Sequence, residues 1–252
     1  MMPGFWVEPE DIGEERLVLR GDEAHHLLRV RRYGLGDEFE AVDGVGCCYR
    51  ARIERTGESE VEAAIVARSP EKGESPVRLH LAPALIKGQG FDYVVEKATE
   101  VGVASIRPLA VERGVVRPGS KRKRDRWQRL AQAATKQCGR SRMPLVAAPQ
   151  SLGEALVGLA RDCDAIWLAT PDGQVSGIAA IAARGPVGAV GLLVGPEGGF
   201  TAAEVACARA SGATVFSGGD RVLRADTAGV VLAALVLHGS EVAAKKEGGQ
   251  LG

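Results

Sequence analysis

The sequence LLVGPEGGF, residues 192–200, carries an apolar run directly into a glycine-rich loop. The run over residues 192–194 has no polar alternation, which is typical of a strand buried on both faces in a parallel sheet. It ends at Gly195, and Thr201 followed by Glu204 is the pattern of a capping box, which begins a helix. The loop is therefore expected to connect the carboxyl end of a buried strand to the amino end of a helix.

The same order of elements follows further along the chain. Residues 213–217 favour a strand, Gly218 and Gly219 interrupt it, and an apolar helix over residues 228–238 is expected to end at Gly239. Two glycine breaks after two strands predict a crevice at the carboxyl ends of a parallel sheet. Open α/β folds bind small ligands in such a crevice, so we expect the functional site there.

Charged residues lie in these two loops, where a purely structural turn needs none of them. Glu197 is in the first loop, and Arg221, Arg224 and Asp226 are in the second. A structural role stays open for each, because Glu197 can favour the helix that follows it, Asp226 can be the N-cap of the last helix, and the arginines can be surface residues. The sequence contains neither the dinucleotide pattern G-x-G-x-x-G nor the P-loop pattern, which excludes those two phosphate cradles.

Composition places the chain among ordinary globular proteins. It has 252 residues, 45% of them apolar and 25% charged, with 32 basic and 32 acidic side chains. Its apolar runs are shorter than the roughly 20 residues that a membrane span needs, and residues 1–17 lack the pattern of a secretory signal. Five cysteines without C-x-x-C spacing, and four histidines, predict neither a disulfide framework nor a metal site. We therefore expect a cytoplasmic protein without a membrane segment or a metal.

The first predicted domain covers residues 1–70. Short β-like segments separated by turn signals surround one helix over residues 22–30, with Asp22 as its cap. The strands are predicted at residues 16–19, 39–42, 48–53 and 61–67. Residues 71–76 are polar and lack periodicity, so they form the predicted linker.

From residue 77 onward strands alternate with helices, which predicts a parallel sheet covered by helices on both faces. Further strands are expected over residues 77–82, 105–110 and 165–169, and helices over residues 91–101, 126–137 and 151–160. The last of these helices follows a Ser-x-x-Glu capping box. These elements define a second domain over residues 77–240, and residues 241–252 are expected to be a frayed polar tail.

Basic residues concentrate in two places although the net charge is zero. Residues 113–142 contain eleven lysines and arginines against one acid, Asp125. A second basic group, Arg29, Arg31 and Arg32, lies beside His26 and Tyr33. Such surfaces bind phosphate, so we expect a nucleic acid as partner. A solvated loop is the alternative for residues 121–124. The candidate RNA-binding residues are His26, Arg29, Arg32, Lys121, Arg122, Lys123, Arg124, Arg140 and Arg142.

Several motifs resemble those of one known family. LLVGPEGGF followed by DRVLRADTA, residues 220–228, resembles the signature of the bacterial 16S ribosomal RNA (uracil-N3)-methyltransferases of the SPOUT superfamily. HLLRVRRYGLGDEFEAVDG in the first domain, and KGQGFDYVVEKATEVGVASIRPL and ATKQCGRSRMPLV in the second, are similar to further family segments. The resemblance therefore extends over nearly the whole chain. The chain departs from the family pattern at Gly4, Gly90, Gly218, Ala225 and Asp226.

The resemblance implies an α/β fold, in which a trefoil-knotted SPOUT methyltransferase domain with a parallel sheet follows a small PUA-like β-barrel. It implies a homodimer formed through the knot region, S-adenosylmethionine as methyl donor, and the 16S rRNA of the small ribosomal subunit as substrate. The implied cofactor-binding residues are Leu168, Ala169, Thr170, Gly195, Glu197, Gly198, Gly199, Ser217, Gly218, Gly219, Val222, Leu223 and Arg224.

The implied reaction methylates N3 of a uridine, which requires removal of the N3 proton or stabilisation of the developing negative charge. We assign charge stabilisation at the uracil carbonyl edge to Arg221, and proton removal to Glu197 with Asp226 as the alternative. Two other functions stay open. A SPOUT methyltransferase acting on another RNA position would differ in its product, and a non-catalytic RNA-binding or ribosome-assembly factor would not bind the cofactor.

Overall fold

The computed structural model describes residues 4–114, 121–173, 175–176 and 188–248. Arg117 of the basic group and residues 249–252 of the predicted tail lie outside the described residues. The chain divides into two compact units, which are Met1–Glu74 with Gln132–Met143, and Ser75–Ala131 with Pro144–Gly252.

The first unit is built on a mainly antiparallel sheet. Its described strands are β1 (Phe5–Trp6), β2 (Arg16–Arg20), β3 (Glu38–Val42), β4 (Cys47–Thr56) and β5 (Glu60–Pro70). They lie in the order β1-β3-β4-β5-β2, with β1 parallel to β3 and the other described pairs antiparallel. The strands predicted from the sequence in this region are confirmed, and their ends differ from the prediction by a few residues.

Alternation along these strands explains the core of the unit. Leu17 and Leu19 are fully buried, whereas Arg16 and Arg20 on either side of them are exposed. Every second side chain of a strand lies on the same face of the sheet, so the leucines share the inner face. Val61 lies opposite Leu19 on the paired strand and is also fully buried. Burial of this shared apolar face stabilises the unit.

The helix predicted over residues 22–30 is present but takes two forms. Gly21–His25 (α1) is α-helical, and it continues as a π-helix over His26–Val30. The predicted cap is wrong, because Asp22 lies in the first turn and the cap position is Arg20, whose side chain makes no capping hydrogen bond. Single π-helical turns inside helices are frequent at functional sites.

The second unit is an α/β structure with a parallel sheet, as predicted. Its described strands are β6 (Arg78–Pro83), β7 (Ser105–Ile106), β8 (Leu109–Ala110), β9 (Leu145–Val146), β10 (Gln150–Ser151), β11 (Ala165–Ala169), β12 (Val175–Ser176), β13 (Ala189–Val194) and β14 (Thr214–Ser217). The large sheet has the order β12-β14-β11-β13-β6-β7-β9 with every described pair parallel, and β8 and β10 form a separate pair.

The remaining described helices are α2 (Gly90–Val101), α3 (Lys121–Cys138), α4 (Leu152–Asp162), α5 (Ala202–Ala210) and α6 (Ala225–Gly248). Both predicted capping boxes are confirmed: the hydroxyls of Ser151 and Thr201 each accept a hydrogen bond of 3.3 Å from the backbone N–H of Glu154 and Glu204, respectively. None of the described helices is long and apolar enough to cross a membrane.

Helix α3 begins at Lys121 rather than at the predicted residue 126. Residues 121–124 therefore belong to a helix, and the loop alternative for them is wrong. Trp127 in the following turn is fully buried, which anchors the first half of the helix in the second unit. The division into units falls inside this helix, after Ala131.

Two further predicted boundaries in the second unit are wrong. The strand predicted over residues 105–110 is two short strands that join different sheets, because Pro108 between them has no N–H to continue a ladder. The last helix begins at Ala225 rather than at residue 228, and it continues through Gly239 to Gly248. A glycine costs a helix interior only about 1 kcal/mol relative to alanine, so neighbouring helix-forming residues carry the helix past it.

Candidate functional site

A cavity of about 600 Å³ lies at the carboxyl ends of β11, β13 and β14. Ala169, the last residue of β11, lies opposite Val194 of β13 and Phe216 of β14, so three loops leave the sheet at the same level. The structure thus has the predicted crevice, with a volume in the range of about 300–1,000 Å³ that is usual for small-ligand sites. Its wall consists of Ala169, Thr170, Pro171, Asp172, Gly173, Val194, Gly195, Pro196, Glu197, Gly199, Ser217, Gly218, Gly219, Asp220, Arg221, Val222, Leu223, Ala225, Ala228 and Leu232.

The first loop, residues 195–199, turns sharply beside the cavity. Gly199 adopts a φ of 67°, and its N–H donates a hydrogen bond of 2.8 Å to the carbonyl of Pro196. A Cβ on Gly195 would lie 3.2 Å from the ring of Phe200, which is buried below the loop end. Glycine at these positions lets the loop backbone line the cavity, and Glu197 is exposed on its wall.

Of the loop after β11, only Thr170 was expected at the cofactor. The N–H of Thr170 donates a hydrogen bond of 2.9 Å to the carbonyl of Phe216, which ties the start of this loop to β14. A Cβ on Gly173 would lie only 2.0 Å from the backbone carbon of Phe216, so no other residue fits there. The run Pro171-Asp172-Gly173 is a turn signal directly after a buried strand, and it could have identified this part of the wall.

The loop after β14 carries Arg221 into the wall. Gly219 adopts a φ of 125°, and its N–H donates a hydrogen bond of 3.3 Å to Oγ of Ser217. A Cβ on Gly218 would lie 2.7 Å from Cδ2 of Leu232, so helix α6 packs directly against this loop. Arg221 is exposed on the cavity wall.

Most of the residues expected at the cofactor lie together on this wall. Leu168, Gly198 and Arg224 do not line the cavity. Leu168 is fully buried inside β11, and Arg224 is exposed with its Nε 3.9 Å from Oδ1 of Asp226. The expected residues that do line it are Ala169, Thr170, Gly195, Glu197, Gly199, Ser217, Gly218, Gly219, Val222 and Leu223.

Asp226 differs from the two other expected catalytic residues. Glu197 and Arg221 line the cavity, whereas Asp226 does not. Asp226 is also not the N-cap of the last helix, because it lies in the first turn. Its Oδ1 accepts hydrogen bonds from the N–H and the hydroxyl of Thr227, at 2.7 and 3.1 Å. Its Oδ2 lies 3.8 Å from the position that a Cβ on Gly90 would take, so the carboxylate is directed toward the start of α2.

The expected RNA-binding residues of the first unit differ in exposure. Arg29 and Arg32 are exposed, and Arg32 holds a φ of 60°, which is uncommon outside glycine. The ring of His26 is half-buried and packs edge-on against Phe5, with 5.6 Å between ring centroids. Arg142 is exposed and is bonded to Glu71, with 2.9 Å between its Nε and the carboxylate Oε2.

Arg140 is not available to phosphate in this structure. Its side chain is 3% exposed and its guanidinium makes two hydrogen bonds to Glu74, of 2.6 and 3.2 Å. A buried guanidinium bonded to a carboxylate would have to leave its partner to reach RNA, at a large cost in free energy. We therefore assign no RNA contact to Arg140, contrary to the expectation from the sequence.

The basic first turn of α3 presents its charges to solvent. Lys121, Arg122 and Arg124 are exposed, and Nζ of Lys123 lies 5.4 Å from the ring centroid of Trp127. The indole N–H of Trp127 donates a hydrogen bond of 3.0 Å to a carboxylate of α2. This buried ring anchors the turn that carries the basic residues.

The cavity wall combines apolar surface, hydroxyls, carboxylates and one guanidinium, which suits a small ligand of mixed polarity. Among the residues that the structure describes, no group of three or more His, Cys, Asp or Glu side chains could hold a metal ion. The groups on the wall that can accept a proton or stabilise a negative charge are its carboxylates and its guanidinium, respectively.

The two units have the fold of a known class of enzymes. Residues 73–237 match the family model described as the RNA methyltransferase domain, and residues 19–66 match the model of the RNA methyltransferase PUA domain. The first match covers more than half of the chain, and the chain belongs to this RNA methyltransferase family. The expected methyltransferase fold preceded by a PUA domain is confirmed.

Several relatives carry one common name. The chain is 34% identical to the Ribosomal RNA small subunit methyltransferase E of Synechocystis, over 91% of this chain and 75% of that protein. It is 28% identical to the protein of the same name from Bacillus subtilis, over 89% of this chain and 90% of that protein. Its fold is similar to the crystal structure of the Neisseria gonorrhoeae protein of this name bound to S-adenosyl methionine, with a TM-score of 0.80, 29% identity, and coverage of 93% of this chain and 96% of the other.

Proposed function

We propose that this chain transfers a methyl group from S-adenosylmethionine to N3 of a uridine in the 16S rRNA of the small ribosomal subunit. The observation that carries the proposal is the presence of Arg221 and Glu197 on the wall of one cavity at the carboxyl ends of the sheet. Family membership and the names of the relatives support the methylation of small-subunit ribosomal RNA. The N3 position rests on the resemblance of the two signature segments to uracil-N3 enzymes.

The cavity wall fits S-adenosylmethionine in its chemical character. The donor has a flat adenine, a ribose with two hydroxyls, and an amino-acid part beside a positively charged sulfonium. The wall offers apolar side chains from Val194, Leu223 and Leu232, and hydroxyls from Thr170 and Ser217. It also offers carboxylates from Asp172, Glu197 and Asp220. Backbone groups of the glycine-rich loops can approach the adenine closely. When bound, the donor supplies an electrophilic methyl group on its sulfonium.

Arg221 and Glu197 have different roles in activating the uracil. N3 of uracil carries a proton and lies between two carbonyl groups, so losing the proton places negative charge on the carbonyl oxygens. Arg221 stabilises this charge from the cavity wall, and Glu197 accepts the N3 proton. Asp226 is the weaker candidate for the base, because its carboxylate already accepts two hydrogen bonds from Thr227 and does not line the cavity.

The exposed cations supply affinity for the RNA backbone. Arg29 and Arg32 in the first unit, and residues 121–124 in the first turn of α3, are the proposed phosphate contacts. Cations in the first turn oppose the helix macrodipole, at about 0.3–1 kcal/mol each, and a bound polyanion relieves this repulsion. The resulting surface favours a nucleic acid over a neutral partner.

Four further properties belong to the same proposal; the homodimer and the knot rest on the resemblance, and the location and the domain boundaries rest on the patterns in the sequence. The chain acts in the cytoplasm, it forms a homodimer, and its methyltransferase domain contains a trefoil knot. Residues 1–70 form the RNA-binding domain, which is joined by residues 71–76 to a catalytic domain over residues 77–240, except that residues 71–74 and 132–143 belong to the first compact unit.

The test is a methyl-transfer assay with labelled S-adenosylmethionine on unmodified small-subunit RNA and on assembled subunits, followed by nucleoside analysis. Label in 3-methyluridine is the expected result. Label in another nucleoside would refute the N3 assignment and favour another RNA position, whereas no label together with no donor binding would favour a non-catalytic RNA-binding factor.

Arg221→Ala tests the assigned role of the guanidinium. We expect kcat to fall by about 10²–10³, the usual cost of removing one group that stabilises developing charge, with donor affinity nearly unchanged. Arg209→Ala, an exposed arginine on α5, is the matched control and should leave both values unchanged. An equal loss of donor affinity in Arg221→Ala would make this residue a cofactor ligand instead.

A further inference from the structure

Arg113 contacts the loop of residues 195–199 at Gly198, the one residue of this loop that does not line the cavity. Its Nη1 donates a hydrogen bond of 2.9 Å to the carbonyl oxygen of Gly198. The other loop residues line the cavity, and neither Gly198 nor Arg113 does so. We propose that Arg113 is a positioning residue, which holds this loop in its ligand-binding conformation without touching the ligand.

The contact also favours a glycine at residue 198. A Cβ on Gly198 would lie 3.3 Å from Cβ and 3.6 Å from Cδ of Arg113. The aliphatic stem of the arginine therefore packs against the loop backbone, and its charged end reaches the carbonyl. Gly198 was expected at the cofactor, but in the structure the absence of a side chain at this position lets Arg113 approach the loop closely.

A second hydrogen bond joins the same two chain segments. The backbone N–H of Glu112 donates to Oε1 of Glu204 at 2.9 Å, while Oε2 of Glu204 accepts from the N–H of Thr201 at 2.8 Å. Residues 112 and 113 thus hold both the loop and the helix start that follows it. Two attachments at separate points fix the orientation of the loop, whereas one would leave it able to pivot.

Order in this loop matters for binding because its backbone forms part of the wall. If the loop must be ordered when the donor binds, part of the binding free energy is lost to that ordering. The apparent dissociation constant then rises by the reciprocal of the fraction of molecules whose loop is already ordered. Arg113 removes this loss by ordering the loop beforehand. The identity of the ligand in this inference rests on the proposed function, but the ordering of the loop does not.

The experiment compares the wild-type chain with Arg113→Ala, Arg113→Lys and the control Arg209→Ala. Amide hydrogen exchange of residues 195–200 is measured without any ligand, and the Kd for S-adenosylmethionine is measured by calorimetry. We expect faster exchange in Arg113→Ala, and a Kd raised by about three- to tenfold, as for the loss of one charge-assisted hydrogen bond near the surface. Arg113→Lys should recover part of both losses, because an ammonium group can still donate to the carbonyl.

Steady-state kinetics separates positioning from catalysis. In Arg113→Ala, KM for the donor should rise as Kd does, while kcat at saturating donor stays near the wild-type value. An unchanged exchange rate, an unchanged Kd despite faster exchange, or a large fall in kcat would each overturn the proposal. If the wild-type chain fails to bind S-adenosylmethionine and the loop is still loosened in Arg113→Ala, the proposed function fails while the ordering role of Arg113 stands.

Discussion

Removal of one partner from the Glu74–Arg140 ion pair should destabilise the first unit severely. Among the described ion pairs this one is deeply buried, with side chains 8% and 3% exposed, and it is bidentate, with hydrogen bonds of 2.6 and 3.2 Å. Oε1 of Glu74 also accepts a hydrogen bond of 2.8 Å from the N–H of Arg142. Glu74→Leu would therefore leave a buried guanidinium without its counter-charge, which costs about 3–5 kcal/mol in comparable buried pairs.

Glu71 provides the matched control in the same segment. It is bonded to Arg142, but the two side chains are 56% and 51% exposed, and exposed pairs contribute about 0–1 kcal/mol. Urea unfolding measures the difference between Glu74→Leu and Glu71→Leu. It is followed by tryptophan fluorescence, to which Trp6 contributes from the same unit and Trp127 and Trp167 from the second unit. With a slope of about 2 kcal/mol per M, the midpoint should shift by about 1.5–2.5 M for Glu74→Leu and by less than about 0.5 M for Glu71→Leu.

The double variant Glu74→Leu with Arg140→Leu distinguishes the removal of an attraction from the burial of an unpaired charge. Replacing both partners by apolar side chains removes the buried charge as well, so the double variant should be more stable than Glu74→Leu alone. The reasoning is refuted if Glu74→Leu costs no more than Glu71→Leu, or if the double variant is as unstable as the sum of the single ones.

Other outcomes concern acid stability, RNA binding and the cavity. Burial, together with the charge of Arg107, lowers the pKa of His80 below its ordinary 6.5. Below about pH 6.5 the unfolded chain therefore binds a proton that the folded chain does not, so the free energy of unfolding should fall as the pH drops. The slope is up to about 1.4 kcal/mol per pH unit, and urea unfolding from pH 7 to 5 should show it reduced in His80→Asn; an identical dependence in both chains would contradict this. Replacing residues 121–124 by alanine should reduce the slope of log K for RNA binding against log salt concentration by about 0.7 for each single-stranded phosphate that the variant no longer neutralises. An unchanged slope would leave these residues without a role in RNA binding. Gly173→Ala should greatly weaken donor binding in calorimetry, because the added Cβ would lie 2.0 Å from the backbone of Phe216; normal binding would show that the loop can move aside.

Local signals in the sequence were sufficient where neighbouring residues determine an element. The capping boxes at Ser151 and Thr201 fixed two helix starts, and the unbroken apolar run predicted the fully buried strand β13. The glycine breaks after β13 and β14 placed the crevice correctly, because the carboxyl ends of parallel strands meet at one edge. Arg221 and Glu197 were expected at this crevice because a structural turn does not need a charge, and both line its wall.

Features that depend on distant residues could not be predicted in the same way. Gly239 is a stop signal by local criteria, but the residues after it continue α6. The pairing of Arg140 with Glu74, and of Arg113 with the carbonyl of Gly198, joins residues far apart in sequence, so a count of basic residues could not separate buried from exposed ones. The turn signal at residues 171–173 is local, but the close approach of Gly173 to the backbone of β14 is not, and the sequence pattern does not show it.

The strand order of the large sheet has a consequence for how the enzyme is made. At the centre of the sheet β6 pairs with β13, where Arg78 lies opposite Ala189, so more than 100 residues separate the partners. β14 adds to the sheet only later in the chain, next to β11. Such distant pairings fold slowly, and at a synthesis rate of about 5–20 residues per second the first of them cannot form until most of the chain has left the ribosome. The cavity is therefore completed among the last parts of the nascent protein, and a chain that stops before β14 has no closed site for a methyl donor.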